Sequence, residues 1–215
     1  MKRLLLVALL LPAALLAKSD SPGAQLIAAD DALAIAIQRD GSWTAFRAFA
    51  LPQTEIFGPR RVKALAIGAN TPDPPYTLVS KPEQAWISCD GTAGATYGST
   101  SIPAYKFKGW YQTIWAKVAN GSYRMLLKLP TSVPGKLFSK PGRRGMRAAC
   151  TGKPSLPIIA PAEGTDFKVG ASQDQTLIWS SSVSDKGEVR LVVSLWDGAK
   201  HVPVLEGVEP AREPR

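Results

Sequence analysis

Residues 108–129 read KGWYQTIWAKVANGSYRMLLKL, and the fold turns on how this stretch is read. Two runs rich in aromatic and β-branched residues flank Asn120-Gly121, a dipeptide favoured in tight hairpins. The reading is therefore two antiparallel strands, 108–118 and 123–129, joined by a type I′ turn. Side chains alternate across a strand, so Tyr111, Thr113 and Trp115 share one face and Trp110, Gln112 and Ile114 the other. Asn120-Gly121-Ser122 also has the form of a glycosylation acceptor, although backbone need at the turn accounts for the same residues.

Working outward, Ala85–Cys89 and Ala93–Tyr97 form a second hairpin around Asp90-Gly91, and Thr176–Ser181 and Arg190–Trp196 a third around Asp185-Lys186-Gly187. Upstream, residues 24–38 lack Gly and Pro, and Leu26, Leu33 and Ile37 fall on one side of a helical wheel. Asp40-Gly41 closes this helix, and Ser42 is placed to cap a short second one carrying Trp43, Phe46 and Phe49. Residues 55–59 read as a short strand and 61–69 as a brief third helix, stopped by Asn70 and the run TPDPP. No internal repeat is visible. These elements describe an α+β protein with its N-terminal helices on one face of a curved antiparallel sheet. A long Pro-rich loop over 131–164 and a hairpin extension over 170–200 complete a single domain spanning 24–205, which a frayed tail over 206–215 follows.

With 45% hydrophobic and 20% charged residues in 215, the chain is neither low-complexity nor disulfide-dense, and it is long enough to bury a core. Lys2 and Arg3 precede the apolar run 4–16, Ala17 and a polar stretch, which together make a secretory signal over 1–17. An uncleaved anchor is the alternative, but 13 apolar residues are short for a span. Export places the chain in the periplasm or outside the cell, where Cys89 and Cys150 can pair. Closing that loop of about 60 residues contributes on the order of 4 kcal/mol in the chain-entropy model; two separate buried thiols are the other reading.

The segment QRDGSWTAFRAFALPQTEIFGPRRV, the Pro-rich link, PEQAWISCDGTAGATYGS and KGWYQTIWAKVANGSYRMLL follow one another in an order that resembles the SnoaL-like branch of the nuclear transport factor 2-like superfamily. The most telling block is Gly109, Ile114-Trp115, Lys117, Asn120-Gly121 and Tyr123. The resemblance covers roughly residues 24–130 and implies a cone-like half-barrel, with a pocket between helices and sheet, and sheet-paired homodimers. It implies no single activity, because the superfamily includes isomerases, dehydratases and plain binding proteins.

Enzymes of that superfamily commonly combine an Asp with a His, Tyr or Arg inside the cone. The single His, His201, lies outside the resembling region and reads as an edge or surface residue. Asp30 is the candidate acid or base, since the wheel puts it on the flank of the apolar stripe; a role at the positive end of a helix start is its alternative. With Asp30, the expected ligand pocket comprises Trp43, Phe46, Tyr111, Thr113 and Trp115, although each aromatic can equally serve as core. Residues 91–162 hold eleven Lys or Arg and no Asp or Glu, and Lys136, Lys140, Arg143, Arg144 and Arg147 form a basic patch suited to a membrane surface or to plain solvation. Metal-ligand spacing, phosphate loops and nucleic-acid-reading motifs are absent, so neither cofactor nor nucleic-acid partner is expected. The composite expectation is an exported domain that binds a small apolar or amphipathic molecule without catalysis. The alternatives are a cofactor-independent lyase or isomerase using Asp30, and an envelope interaction protein using the basic loop.

Overall fold

A computed structural model describes residues 21, 23–57, 60–67, 71–159 and 165–211. The expected signal over 1–17 lies outside them. Two helices open the fold: α1 (Ala24–Asp40) and α2 (Ser42–Phe49). Gly41 separates them at φ 93°, a left-handed conformation that glycine adopts without steric cost, and its N–H closes α1 on the Ile37 carbonyl. Ser42 does not cap α2. Asp73, from the Pro-rich link, accepts the Trp43 and Thr44 N–H groups at 2.5 and 3.3 Å and the Thr44 hydroxyl at 2.6 Å.

Strands β1 (Ala50–Phe57) and β2 (Arg61–Lys63) follow, and a single 3₁₀ turn, Ala64–Ala66, replaces the expected third helix. Next comes a meander of β3 (Val79–Ile87), β4 (Ala93–Ile102), β5 (Phe107–Lys117) and β6 (Tyr123–Thr131). Beyond it lie β7 (Lys136–Leu137), β8 (Met146–Arg147), β9 (Asp166–Ala171), β10 (Leu177–Val183), β11 (Val189–Trp196) and β12 (His201–Glu209). The C-terminal part is thus more than a hairpin extension. It forms a separate five-stranded sheet, β7-β12-β11-β10-β9, against a seven-stranded first sheet, β2-β1-β6-β5-β4-β3-β8. Both are mainly antiparallel, with parallel pairs only at β1–β6 and β3–β8. Residues 206–209, expected to fray, belong to β12.

The first sheet is covered on both faces. Leu26, Leu33, Ile37 and Phe46 from the helices pack on Ile87, Trp115 and Met125, and at Gly94 the helix comes so close that an added Cβ would overlap Leu26. On the other face Trp86, Ile114, Leu127 and Leu129 pack on Leu177, Leu191, Val193 and Leu205 of the second sheet. The Cys89–Cys150 disulfide and the hydrogen bonds of Ser139 with Trp86, Gly135 with Tyr97 and Gly142 with Gln84 hold the Pro-rich segment against the first sheet. Among the described residues no helix is long and apolar enough to cross a membrane.

The two sheets share a design that the sequence hides. The turn Ser88-Cys89-Asp90-Gly91-Thr92 and the turn Ser172-Gln173-Asp174-Gln175-Thr176 have the same S-x-D-x-T spacing. In each, the Ser hydroxyl donates to the Asp carboxylate at 2.6 Å, and the Thr hydroxyl does so at 2.9 Å. The turns also clasp one another reciprocally. Asp90 N–H donates to Asp174 at 2.8 Å and Asp174 N–H to Asp90 at 3.0 Å, while Cys89 N–H donates to Thr176 at 2.8 Å and Gln173 N–H to Thr92 at 3.1 Å. Each meander also carries a β-bulge at the matching place, between Ile114 and Trp115 in one and Val193 and Ser194 in the other. The meander β9–β12 therefore repeats the strand order, the first turn and the bulge position of β3–β6, and the two first turns bind one another reciprocally. Gly91, Gly121, Gln175 and Gly187 all follow their turns at positive φ, each N–H returning to the carbonyl three residues earlier, whereas Asp90 and Asn120 keep negative φ. The hairpins thus use the wider turn closed by a left-handed residue, not the two-residue type I′ turn.

Candidate functional site

Five of the six residues expected to line a pocket meet between α1, α2 and the first sheet. Asp30 faces inward from the middle of α1, not from its start, and accepts a hydrogen bond from the Tyr111 hydroxyl at 3.2 Å. Thr96 also hydrogen-bonds Asp30, and its hydroxyl oxygen accepts the Trp115 indole N–H at 2.9 Å. The sixth, Trp43, is only partly buried and packs edge-on against Phe46 at 5.9 Å.

Lys128, absent from the expected set, completes the group. Its ammonium donates to Thr113 at 3.1 Å and lies 3.7 Å from the Tyr111 ring centroid and 6.0 Å from that of Phe46. Tyr111 therefore touches both charges, through its ring face and its hydroxyl. Burial pushes the Asp30 carboxyl up, and Lys128, Thr96 and Tyr111 pull it back only in part. Burial likewise lowers the Lys128 ammonium to about 8, against the opposing field of Asp30, and raises the Tyr111 phenol. A carboxyl, an amine and a phenol with shifted proton affinities are the parts of an acid–base site. None of Asp30, Phe46, Thr96, Tyr111, Thr113, Trp115 and Lys128 is more than 7% exposed, so the side chains fill this interior themselves.

Open space lies elsewhere: a shallow groove of about 500 Å³ runs beside Ala28, Ala32 and Phe49 on the outer side of α1, and a second groove lies at one end of the two-sheet sandwich. The strands of both meanders run from the Asp90–Asp174 clasp toward a groove of about 370 Å³ at their opposite ends. Phe57, Phe107, Trp110 and Pro130 give it an apolar floor. Gly109 lets the Phe107 ring fold back over the strand, where an added Cβ would meet that ring at 2.9 Å. Asp185, Lys186 and Glu209 stand at its polar rim. Glu209 accepts the Ser132 N–H at 2.5 Å and its hydroxyl at 3.0 Å. Thr131, only 3% exposed, lines the same groove, and its hydroxyl is one of the buried side-chain polar groups with no partner among the described residues. The amide of Gln112 is the other, two residues deeper along β5 from Trp110.

The remaining expected residues are dispersed. Arg143 pairs with Asp31 and donates to the Pro82 carbonyl, Arg147 donates to the Cys89 carbonyl, and the Lys136 ammonium lies over the Phe138 ring. Arg143 and Arg147 thus tie the segment to the first sheet, while Lys140 and Arg144 are exposed. His201 stacks edge-on against Trp196 and its Nε2 lies 2.7 Å from the Gln175 carbonyl, in the second sheet. No group of His, Cys, Asp and Glu suited to a metal ion occurs among the described residues. No protein-family model and no curated protein matches the chain in sequence.

Proposed function

We propose that this is an exported SnoaL-like domain that binds a small amphipathic molecule, and that the molecule sits in the end groove rather than between helices and sheet. One observation carries this reading: the groove joins an apolar floor at Trp110 and Phe107 to a buried Thr131 hydroxyl that lacks a partner. Beside Asp30 the described side chains pack against one another, none of them more than 7% exposed. Export rests on the basic-then-apolar opening of the chain and agrees with the Cys89–Cys150 bond. Native mass spectrometry of the chain recovered from its host's exported fraction tests the reading. One small molecule retained per chain, and lost in Trp110→Ala, is the expected result; equal retention by that variant overturns the groove assignment.

The contact of Tyr111 with both Asp30 and Lys128 favours a second reading, a cofactor-independent lyase or isomerase that works only when α2 moves off the sheet. Here Asp30 takes the proton and Tyr111 or Lys128 stabilises the developing oxyanion. Such a site must open. Reductive methylation of the intact chain at pH 8 checks it: modification of Lys128 at a rate near that of exposed Lys140 supports opening, and complete protection removes this reading.

A further inference from the structure

The rim of the end groove narrows the class of ligand. A purely apolar molecule leaves the buried hydroxyl of the lining residue Thr131 without a partner, at a cost comparable to a lost hydrogen bond. An anion meets two carboxylates, Asp185 and Glu209, against the single ammonium of Lys186. The lining instead combines flat apolar surface, from Trp110, Phe107 and Pro130, with two carboxyl groups as acceptors and a hydroxyl that can both donate and accept. Hydrogen bonds from ligand hydroxyls to carboxylates are charge-assisted and stronger than those between neutral groups.

The ligand that matches this surface is a ring with one C–H face and a rim of hydroxyls. We infer that the groove takes a neutral pyranoside, its apolar face on Trp110 and Phe107, one hydroxyl on Thr131 and others on Asp185 and Glu209. The inference rests on the groove-binding reading above and specifies its ligand. The volume of about 370 Å³ lies near the lower end of small-molecule sites, which suits one or two sugar rings.

Titration calorimetry on the full mature chain tests it with methyl glucoside, methyl galactoside, methyl mannoside and methyl N-acetylglucosaminide. Cyclohexylmethanol and benzyltrimethylammonium serve as an apolar and a cationic comparison. At least one pyranoside binds, and Thr131→Val, nearly isosteric, weakens it by about 3- to 10-fold while leaving cyclohexylmethanol and the melting temperature unchanged. Should Thr131→Val fold poorly, Glu209→Gln gives the same comparison, with a loss of several-fold expected for the sugar alone. Binding of cyclohexylmethanol or the cation with no pyranoside bound overturns the ligand class but keeps the groove. No binding of any probe, or pyranoside binding untouched by Thr131→Val, Glu209→Gln and Trp110→Ala, overturns the groove as well.

Discussion

Asp30 was legible from the sequence because a helical wheel needs only residue spacing, and the inward face it assigns is the one observed. Lys128 was not. Counting back from the turn with even pairing sets Thr113 opposite Leu127, but the bulge shifts the register and Lys128 pairs with Thr113 instead. One extra residue in β6 thus turns a basic residue of the strand inward toward the helices. The same displacement makes a titration prediction. The Lys128 ammonium sheds its proton at about 8 in the folded chain and near 10.5 in the unfolded one, so between these values the unfolded state holds more protons and stability rises with pH. Thermal melts of the native chain and Lys128→Met between pH 7 and 10 should show the native chain gaining on the variant as pH rises. Parallel curves would show that Lys128 does not titrate there.

At the scale of elements, the hairpins were readable from Asp-Gly, Asn-Gly and Asp-Lys-Gly flanked by β-branched and aromatic runs, and each turn falls at its expected place, although the backbone closes it more widely than a type I′ turn. Which sheet a hairpin joins was not readable, because strand pairing beyond the nearest neighbour depends on packing and not on the local pattern. The sequence hides the repeat because only Ser, Asp and Thr persist between SCDGT and SQDQT, and the alternating apolar residues around them are generic. Its clasp is measurable by a double-mutant cycle. Asp90→Ala and Asp174→Ala should destabilise by similar amounts, and the pair should cost about 1 kcal/mol less than their sum, because each carboxylate caps the other's turn. Strict additivity in urea melts would mean that the turns are independent. A second bond between the sheets is ionic. Burial alone would raise the Glu55 carboxyl, but Lys168, Lys63 and Arg61 hold it down at about 2, and Arg61 also reaches Asp166 and Ser181 across the sandwich. This stability is present above about pH 4.5 and lost as pH falls toward 2. Glu55→Gln should therefore cost roughly 2 kcal/mol at pH 7, after allowance for the half-exposed lysines, and only a small fraction of that by pH 2. A constant gap across that range would assign Glu55 a purely packing role.

For the whole molecule, the second sheet is the feature with the widest consequence. It covers the face of the first sheet opposite the helices, so that Trp86, Ile114, Leu127 and Leu129 are buried against Leu177, Leu191, Val193 and Leu205 within one chain. Helices on one side and the second sheet on the other leave the first sheet's faces packed, so the open groove lies where the two sheets part at their ends. The α+β class and the helix-covered sheet were legible in the alternation of the strands and the period of α1. The groove was not, because its polar rim of Asp185, Lys186 and Glu209 comes from the β10–β11 turn and the end of β12, whose approach to Trp110 and Thr131 is a property of docking. The most direct measurement is chemical-shift mapping of the ¹⁵N-labelled mature chain with octyl glucoside below its micelle concentration. The account predicts shifts at the Trp110 indole and at the amides of Thr131, Ser132 and Gly187, with Thr113 and the Trp115 indole unmoved. Shifts centred on Thr113 and the Trp115 indole, with Trp110 and Thr131 silent, would contradict it and return the binding site to the interior around Asp30.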